Sequence, residues 1–335
     1  MILRFLVVLL LLAAPAGATG STSRQSEYEL VQRLPAGLMP SLLVGEPDEN
    51  GLVGFHRQHG RWFQAGYQRG GARHLLGGVF AGDRERIARG WKSVETAFAH
   101  QVEDGGFVSN QRPGRPPHTL EDRVETAYFY LQALSQALLV LQQSPFEPEY
   151  RERIAELKPR VRRAADFVLS GYDGIVKKVG HTANRLFIAA KALGLAGVLL
   201  EEERFQEAAR NLVGLALERR DPDGVFVEAG GRDSSYNAVA ILMAQALALH
   251  LPDDRIGPAM KKAMVWQLTR IRPDGEILVE GNTRTGLGQE KSRDGGAKGV
   301  NTREVAVALL YHALMYDRPE LIPLAQTIAE RRGGG

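Results

Sequence analysis

The stretch "VEAGGRDSSYNAVAILMAQAL" sets Arg232, Asp233, Ser234, Ser235, Tyr236 and Asn237 where a glycine-bounded loop enters a long apolar run. Tyrosine does chemistry only when its proton can move. A phenol ionises near pH 10, so a tyrosine base needs positive charge or a helix N-terminus beside it. Tyr236 follows a helix-capping residue type, Ser234, by two positions and Arg232 by four. That spacing predicts a first-turn tyrosine whose phenolate is favoured by the helix dipole and a nearby cation. Three other apolar runs open on polar residues, at "HTLED", "HTANR" and "NTREV". These openings carry His118, Glu121, Arg123 and Glu125, then His181, Asn184 and Arg185, then Asn301 and Arg303, with Tyr172 just upstream of the second. Intervening loops add Glu228, Glu280, Asn282, Arg284, Gln289, Lys291, Arg293 and Lys298. Amides and cations can hold a carboxylate, and Tyr or His can move a proton beside it.

Neither a metal nor a nucleotide is indicated. No HxH, HExxH or cysteine cluster is present, so no metal or other cofactor is expected. "GLGQEKSRDGGAKG" lacks the strand-before, helix-after context of a phosphate loop. It is expected to be a flexible rim loop or lid that offers Lys and Arg to an anionic ligand.

These residues need helices to position them. From about residue 83 onward, apolar positions recur at helical spacing between Gly/Pro/Asp loops, and strand signals are few and short. Helices beginning near 83, 150, 202 and 257 are amphipathic, as in an outer layer. Those beginning near 119, 182, 234 and 302 are more uniformly apolar, as in an inner layer. Strict alternation of the two kinds predicts an all-α fold, an α/α toroid built as an incomplete barrel of antiparallel hairpins. Three loops, "VEDGGFV", "DPDGVFVE" and "RPDGEILVE", repeat an Asp-Gly turn and an apolar β-like step between an outer and an inner helix. In a toroid such loops gather at one end, so the polar helix openings are expected to face a common cleft. The expected catalytic domain spans 83–331. Residues 19–82 are expected to form an N-terminal extension packing on it, in which "RWFQAGYQRGGARHLLGGVFAG" reads as a further inner helix weakened by glycines.

The chain has 335 residues, 44% hydrophobic and 24% charged, as for a globular protein of one large domain or two small ones. "MILRFLVVLLLLAAPAGATG" carries one positive charge, a short apolar run and a small-residue end, which predicts a signal peptide over 1–18 cut near Ala18. The run is shorter than the roughly 20 residues a spanning helix needs, so the mature protein is expected to be periplasmic or secreted and free of the membrane. With no cysteine, stability must come from the core. A net charge of +3 favours an acidic polymer, weakly, and nothing points to nucleic acid.

The hairpin ring, the signal peptide, "HTANR" and "DGVFVEAGGRDSSYNAVAI" together resemble the α/α-toroid polysaccharide lyases, especially alginate-lyase-like and heparinase-like enzymes acting on uronic acid polymers. The resemblance covers roughly residues 83–316. It implies Tyr236 as the catalytic tyrosine, and His181 and Asn184, 55 and 52 residues upstream, as its partners on a neighbouring inner helix. Here His181 precedes Asn184 by three residues, in place of the Asn-His adjacency of alginate-lyase-like enzymes. The implied reaction is β-elimination of an acidic polysaccharide such as alginate or glucuronan. Its C6 carboxylate must be neutralised, by Asn184, Arg232 or His181. The C5 proton must then be removed and O4 protonated. Either Tyr236 does both, or His181 is the base and Tyr236 the acid. Expected substrate-binding residues are Glu125, Tyr172, Arg185, Asn237, Asn282, Arg284, Lys291 and Arg303. Two other readings remain open. One is a glycoside hydrolase drawing an acid/base pair from Glu125, Glu228, Asp233 and Glu280. The other is a glycan-binding or assembly protein that grips its ligand through Trp62, Trp91, Tyr172 and the Arg/Lys loop.

Overall fold

A computed structural model describes residues 25–54, 63–108, 118–228, 230–292 and 295–333. The signal-peptide expectation, Trp62 and Arg293 fall outside these residues. Among the described residues, two short helices, α1 (Glu27–Val31) and α2 (Leu38–Leu42), precede five hairpins. Their inner members are α3 (Ala65–Ala81), α5 (Leu120–Gln142), α8 (Ala183–Leu200), α10 (Ser234–His250) and α12 (Thr302–Met315). The outer members are α4 (Arg84–Ala99), α6 (Glu147–Ser170), α9 (Glu203–Leu217), α11 (Ile256–Thr269) and α13 (Leu321–Gly333). A further helix, α7 (Tyr172–Val179), stands between α6 and α8. Connections of two to five residues force each outer helix to return antiparallel along its inner partner. Each inner helix also packs on the next, in the order α3, α5, α8, α10, α12. The fold is an all-α toroid. Its seam, between α12 and α3, is bridged by α2 and by the Arg73–Glu304 ion pair at 2.9 Å.

Sequence dictates the layers. The inner helices are apolar on nearly every side and are buried accordingly, whereas α4, α6 and α9 bury one stripe and turn Arg and Glu outward. Helix α8 is long and apolar enough to cross a membrane by length and composition, but 89% of it lies buried within the ring. The first hairpin straddles the boundary drawn at 82/83, because the glycine-weakened helix is a full inner member. Its glycines serve close packing: a Cβ at Gly90 of α4 would stand 2.5 Å from the Leu75 backbone of α3.

The repeated Asp-Gly turns are real structural repeats. Each closes an isolated antiparallel bridge, Gln101 with Phe107, Arg220 with Phe226 and Ile271 with Ile277, and each drops its apolar residue into the core. The turns hold Gly105, Gly224 and Gly275 at φ of +88°, +84° and +81°, a region costly for any side chain. They deliver the chain to the N-terminal ends of α5, α10 and α12, so those ends lie at one rim.

Caps at that rim differ in detail from the sequence expectation. Thr119 caps α5 in a capping box whose partner is Asp122. The cap of α10 is Asp233 instead of Ser234, and α12 begins after Asn301, which makes Thr302 its first residue. Thr182 precedes α8 but turns its hydroxyl back to the Val179 carbonyl.

Candidate active site

Most of the polar crowding at 232–237 is joinery. Arg232 donates to Asp221 at 2.5 Å and pairs with Asp223, clamping the Asp-Gly turn before α10. Asp233, wholly buried, accepts from Ser235 N and Tyr236 N as a cap and from Arg284 N, Thr285 N and Thr285 Oγ1 of the following rim loop. Ser234 is held by Asn282, Ser235 accepts from Asn301 N, and Asn237 joins Phe226 N to Gln267. Six adjacent polar residues thus tie four segments together. Tyr236 alone among them reaches the central cavity.

The rim loop, described over 281–292 and 295–300, closes over that tyrosine. Tyr236 Oη donates to Glu290 Oε2 at 2.6 Å and accepts from Lys298 Nζ, which also donates to Glu290 Oε1 at 2.8 Å. The Arg284 guanidinium stacks 4.5 Å from the ring centroid and reaches Glu290 at 3.1 Å. Burial, then the hydrogen bond to Glu290, push the Tyr236 phenol above the ordinary tyrosine range, and Arg284 opposes this only in part. The sequence expectation of a favoured phenolate is therefore reversed: the cation intended for it, Arg232, faces the other way, and a carboxylate takes its place. Burial alone would raise Glu290, yet Lys298, Tyr236 and Arg284 together hold it below its ordinary value.

Behind Tyr236 lies a cavity of about 530 Å³, enclosed by the five inner helices and the seam segment, within the usual range for ligand sites. Among the described residues, six basic side chains line it, Arg69, Arg73, Arg185, Lys191, Lys298 and Arg303, against two carboxylates, Glu125 and Glu304. Glu125 is held by Arg185 and by Lys178 at 3.1 Å, and Glu304 by Arg73. The Phe129 ring carries both Arg69 and Arg185, each 5.1 Å from its centroid. At the floor, Lys191 Nζ donates to Gln132 Oε1 at 2.8 Å and Gln136 Oε1 at 2.5 Å. Burial brings its pKa down to about 7, with Glu27 and Glu304 opposing the fall and Arg73 adding to it.

Of the residues singled out from the sequence, Glu125, Asn184, Arg185, Tyr236, Lys298, Asn301 and Arg303 meet at this cavity, and Arg284 backs Tyr236. The others lie elsewhere. His181 is exposed in the turn before α8, which Arg219 draws outward by donating to the Gly180 carbonyl at 2.7 Å. Tyr172 opens α7 outside the cavity lining, and Lys291 is exposed beside its bridge to Ala297. Arg232, Asn237 and Asn282 are spent on the joinery above. Of the carboxylates offered for a hydrolase, Glu125 alone lines the cavity among the described residues. Sequence reading missed Lys191, Glu290, Arg69 and Arg73. A lone lysine inside "LFIAAKALGLAGVLL" was the one available signal for the first.

No family model matches the sequence, and no curated protein matches it. Solved structures do. A D-mannose isomerase superposes with a TM-score of 0.50 at 12% identity, over 88% of this chain and 86% of that one. A sugar epimerase from a ruminal bacterium gives a TM-score of 0.50 at 10% identity, over 85% and 89%. The likeness is one of fold. More distant is an unsaturated glucuronyl hydrolase from Bacillus sp. GL1, with a TM-score of 0.43 at 10% identity, over 86% and 96%.

Proposed function

We propose that the chain is an exported, periplasmic or secreted, enzyme that cleaves a uronic-acid-containing saccharide by β-elimination in the central cavity. The carrying observation is the cavity's charge: among the described residues, five cationic side chains, Arg69, Arg73, Arg185, Lys298 and Arg303, to two carboxylates, around a tyrosine bridged between Lys298 and Glu290. Asn184, Arg185 and Arg303 line the wall where a C6 carboxylate would be held, and neutralising it acidifies the C5 proton. Tyr236 acts as a relay. As its Oη takes the C5 proton, its own proton passes to Glu290, and the sequence reverses to protonate the departing O4. The raised phenol pKa fits this scheme, because no free phenolate has to persist. Lys298 stabilises the negative charge on Oη while the protons move. His181, exposed and outside the lining, takes no part. The ion-paired state of Glu125 and Glu304 favours this reading over hydrolysis, which needs a protonated carboxyl at the bond. Sugar-active relatives in fold, an isomerase and an epimerase by their titles, are compatible with a saccharide ligand.

The test is to incubate the protein with a panel of uronate polymers and follow ultraviolet absorbance and reducing ends separately. Absorbance with reducing ends supports elimination, reducing ends alone indicate hydrolysis, and neither, with retained binding, indicates a glycan-binding protein. Tyr236→Phe should lose about 10²- to 10⁴-fold in turnover while keeping polymer binding. A near-normal rate would remove Tyr236 from the mechanism.

A further inference from the structure

Lys191 sits on the cavity-facing stripe of α8 with Asn184 and Ile188, about 10 Å further down the helix than Asn184 at 1.5 Å per residue. It is 3% exposed, yet it is one of the residues that line the cavity. The two glutamines beside it are fixed in orientation. Gln132 Nε2 donates to the Phe129 carbonyl, and Gln136 Nε2 to Glu27 and Tyr311, so both amide oxygens are turned to the lysine. Glu27 is in turn locked by His250 at 2.5 Å and by the Tyr311 hydroxyl. A neutral amine has two N–H groups and one lone pair. With both hydrogens held by the glutamine oxygens, the lone pair is the one position on that nitrogen left to meet a ligand. The cavity wall is apolar at Ile188, Leu242, Met243 and Val307, and burial in apolar surroundings makes a lysine nucleophilic.

We propose that Lys191 captures the carbonyl carbon of an open-chain aldose or uronic acid as an imine at the floor of the cavity. The nitrogen lone pair attacks the carbonyl carbon, and the C=O π pair passes to oxygen, which takes a proton to give a carbinolamine. Dehydration forms C=N, so that the carbonyl oxygen and the two N–H protons leave together as one water. No oxidant or reductant is involved. Charges facing Lys191 set when this occurs: Glu27 from α1 and Glu304 from α12 favour the ammonium, while Arg73 from α3 and burial favour the free amine, with its pKa at about 7. The site is separate from the rim chemistry and stands whether or not Tyr236 performs elimination. Together they would hold a saccharide end-on, its reducing end on Lys191.

The experiment is reductive trapping on the full protein with cyanoborohydride and either D-glyceraldehyde or D-glucuronic acid, read by peptide mass mapping from pH 6 to 10. Both probes should label Lys191 selectively at pH 7.5, with a rate rising through pH 7. Lys261, exposed on α11, is the reference and should be labelled more slowly at that pH. Unfolding the protein first should abolish the selectivity, and Lys191→Arg should abolish the adduct. Labelling of Lys191 no faster than Lys261 overturns the proposal, as does labelling by glyceraldehyde alone, which leaves no sugar site. Because trapping and ultraviolet absorbance are read independently, failure of one does not count against the other.

Discussion

Asp233 is the residue on which the rim's geometry depends, and its removal can be costed. The carboxylate is fully buried and accepts five hydrogen bonds, from Ser235 N at 3.0 Å, Tyr236 N at 3.1 Å, Thr285 Oγ1 at 2.9 Å, Arg284 N at 3.0 Å and Thr285 N at 2.8 Å. Losing an ordinary helix cap costs about 1 kcal/mol. Asp233→Ala also strands the two rim-loop amides, and each buried donor left unpaired adds about 1–3 kcal/mol. These terms do not simply add, since the loop can lift and admit water, so the expected loss is about 3–5 kcal/mol, as for breaking a buried charged network. Thr119→Ala supplies the control, because Thr119 caps the neighbouring inner helix from an exposed position with one such bond. It should cost about 1 kcal/mol. Denaturant unfolding with linear extrapolation measures both, and Asp233→Asn, which keeps one carbonyl oxygen, should fall between them. If Asp233→Ala costs no more than Thr119→Ala, the rim loop is not held through this carboxylate. The placement of Glu290 and Lys298 over Tyr236 would then need another cause.

Lys191 should leave a mark on stability as well as reactivity. Its pKa falls from 10.5 to about 7 on folding, so between those values the unfolded chain holds the extra proton. Wild-type stability should therefore decline as pH drops from 10 to 7 and level off below, by at most about 4–5 kcal/mol at 1.36 kcal/mol per unit. Lys191→Met should lack that decline, and parallel pH curves for the two proteins would refute it. Gly90→Ala should destabilise by about 1–3 kcal/mol despite alanine's better helix propensity, because its Cβ would meet the Leu75 backbone at 2.5 Å. A raised melting temperature would show that α3 and α4 lie further apart.

Much of the architecture was legible because it rests on short-range signals. Alternating amphipathic and apolar helices reported two layers, and three Asp-Gly steps reported matching loops, since each needs a positive φ at Gly105, Gly224 or Gly275. The first inner helix was harder to see. Five glycines in α3 lower its helix propensity, and only tertiary packing explains them: Gly71, Gly77 and Gly78 meet α4, Gly66 meets α5, and Gly70 meets the segment at Gly45 and Val53. The seam was invisible as well. Arg73 and Glu304 lie 231 positions apart, and no local pattern links them.

The site was legible in part, and the failures share a physical cause. A polar cluster at a helix entrance invites a chemical reading, but entrances have orphan N–H groups and buried loop ends that must be bonded whatever the protein does. Asp233, Ser234, Ser235 and Asn237 are spent that way, and Arg232 with them. Polar density at a cap is thus weak evidence of function. A polar group where folding gains nothing from it is stronger, and Lys191, in the middle of an apolar helix, is such a group. Burial at that position costs more for a lysine than for any residue around it, and the surrounding glutamines mitigate the cost without removing it. Tyr236 belongs to both classes: first-turn placement came with the cap, but its hydroxyl, bridged by Glu290 and Lys298 over the cavity, does no work for the helix. What separates Tyr236 and Lys191 from Asp233, Ser234, Ser235 and Asn237 is that their polar side-chain atoms bond no backbone group and both residues line the cavity, which is why both proposals rest on them.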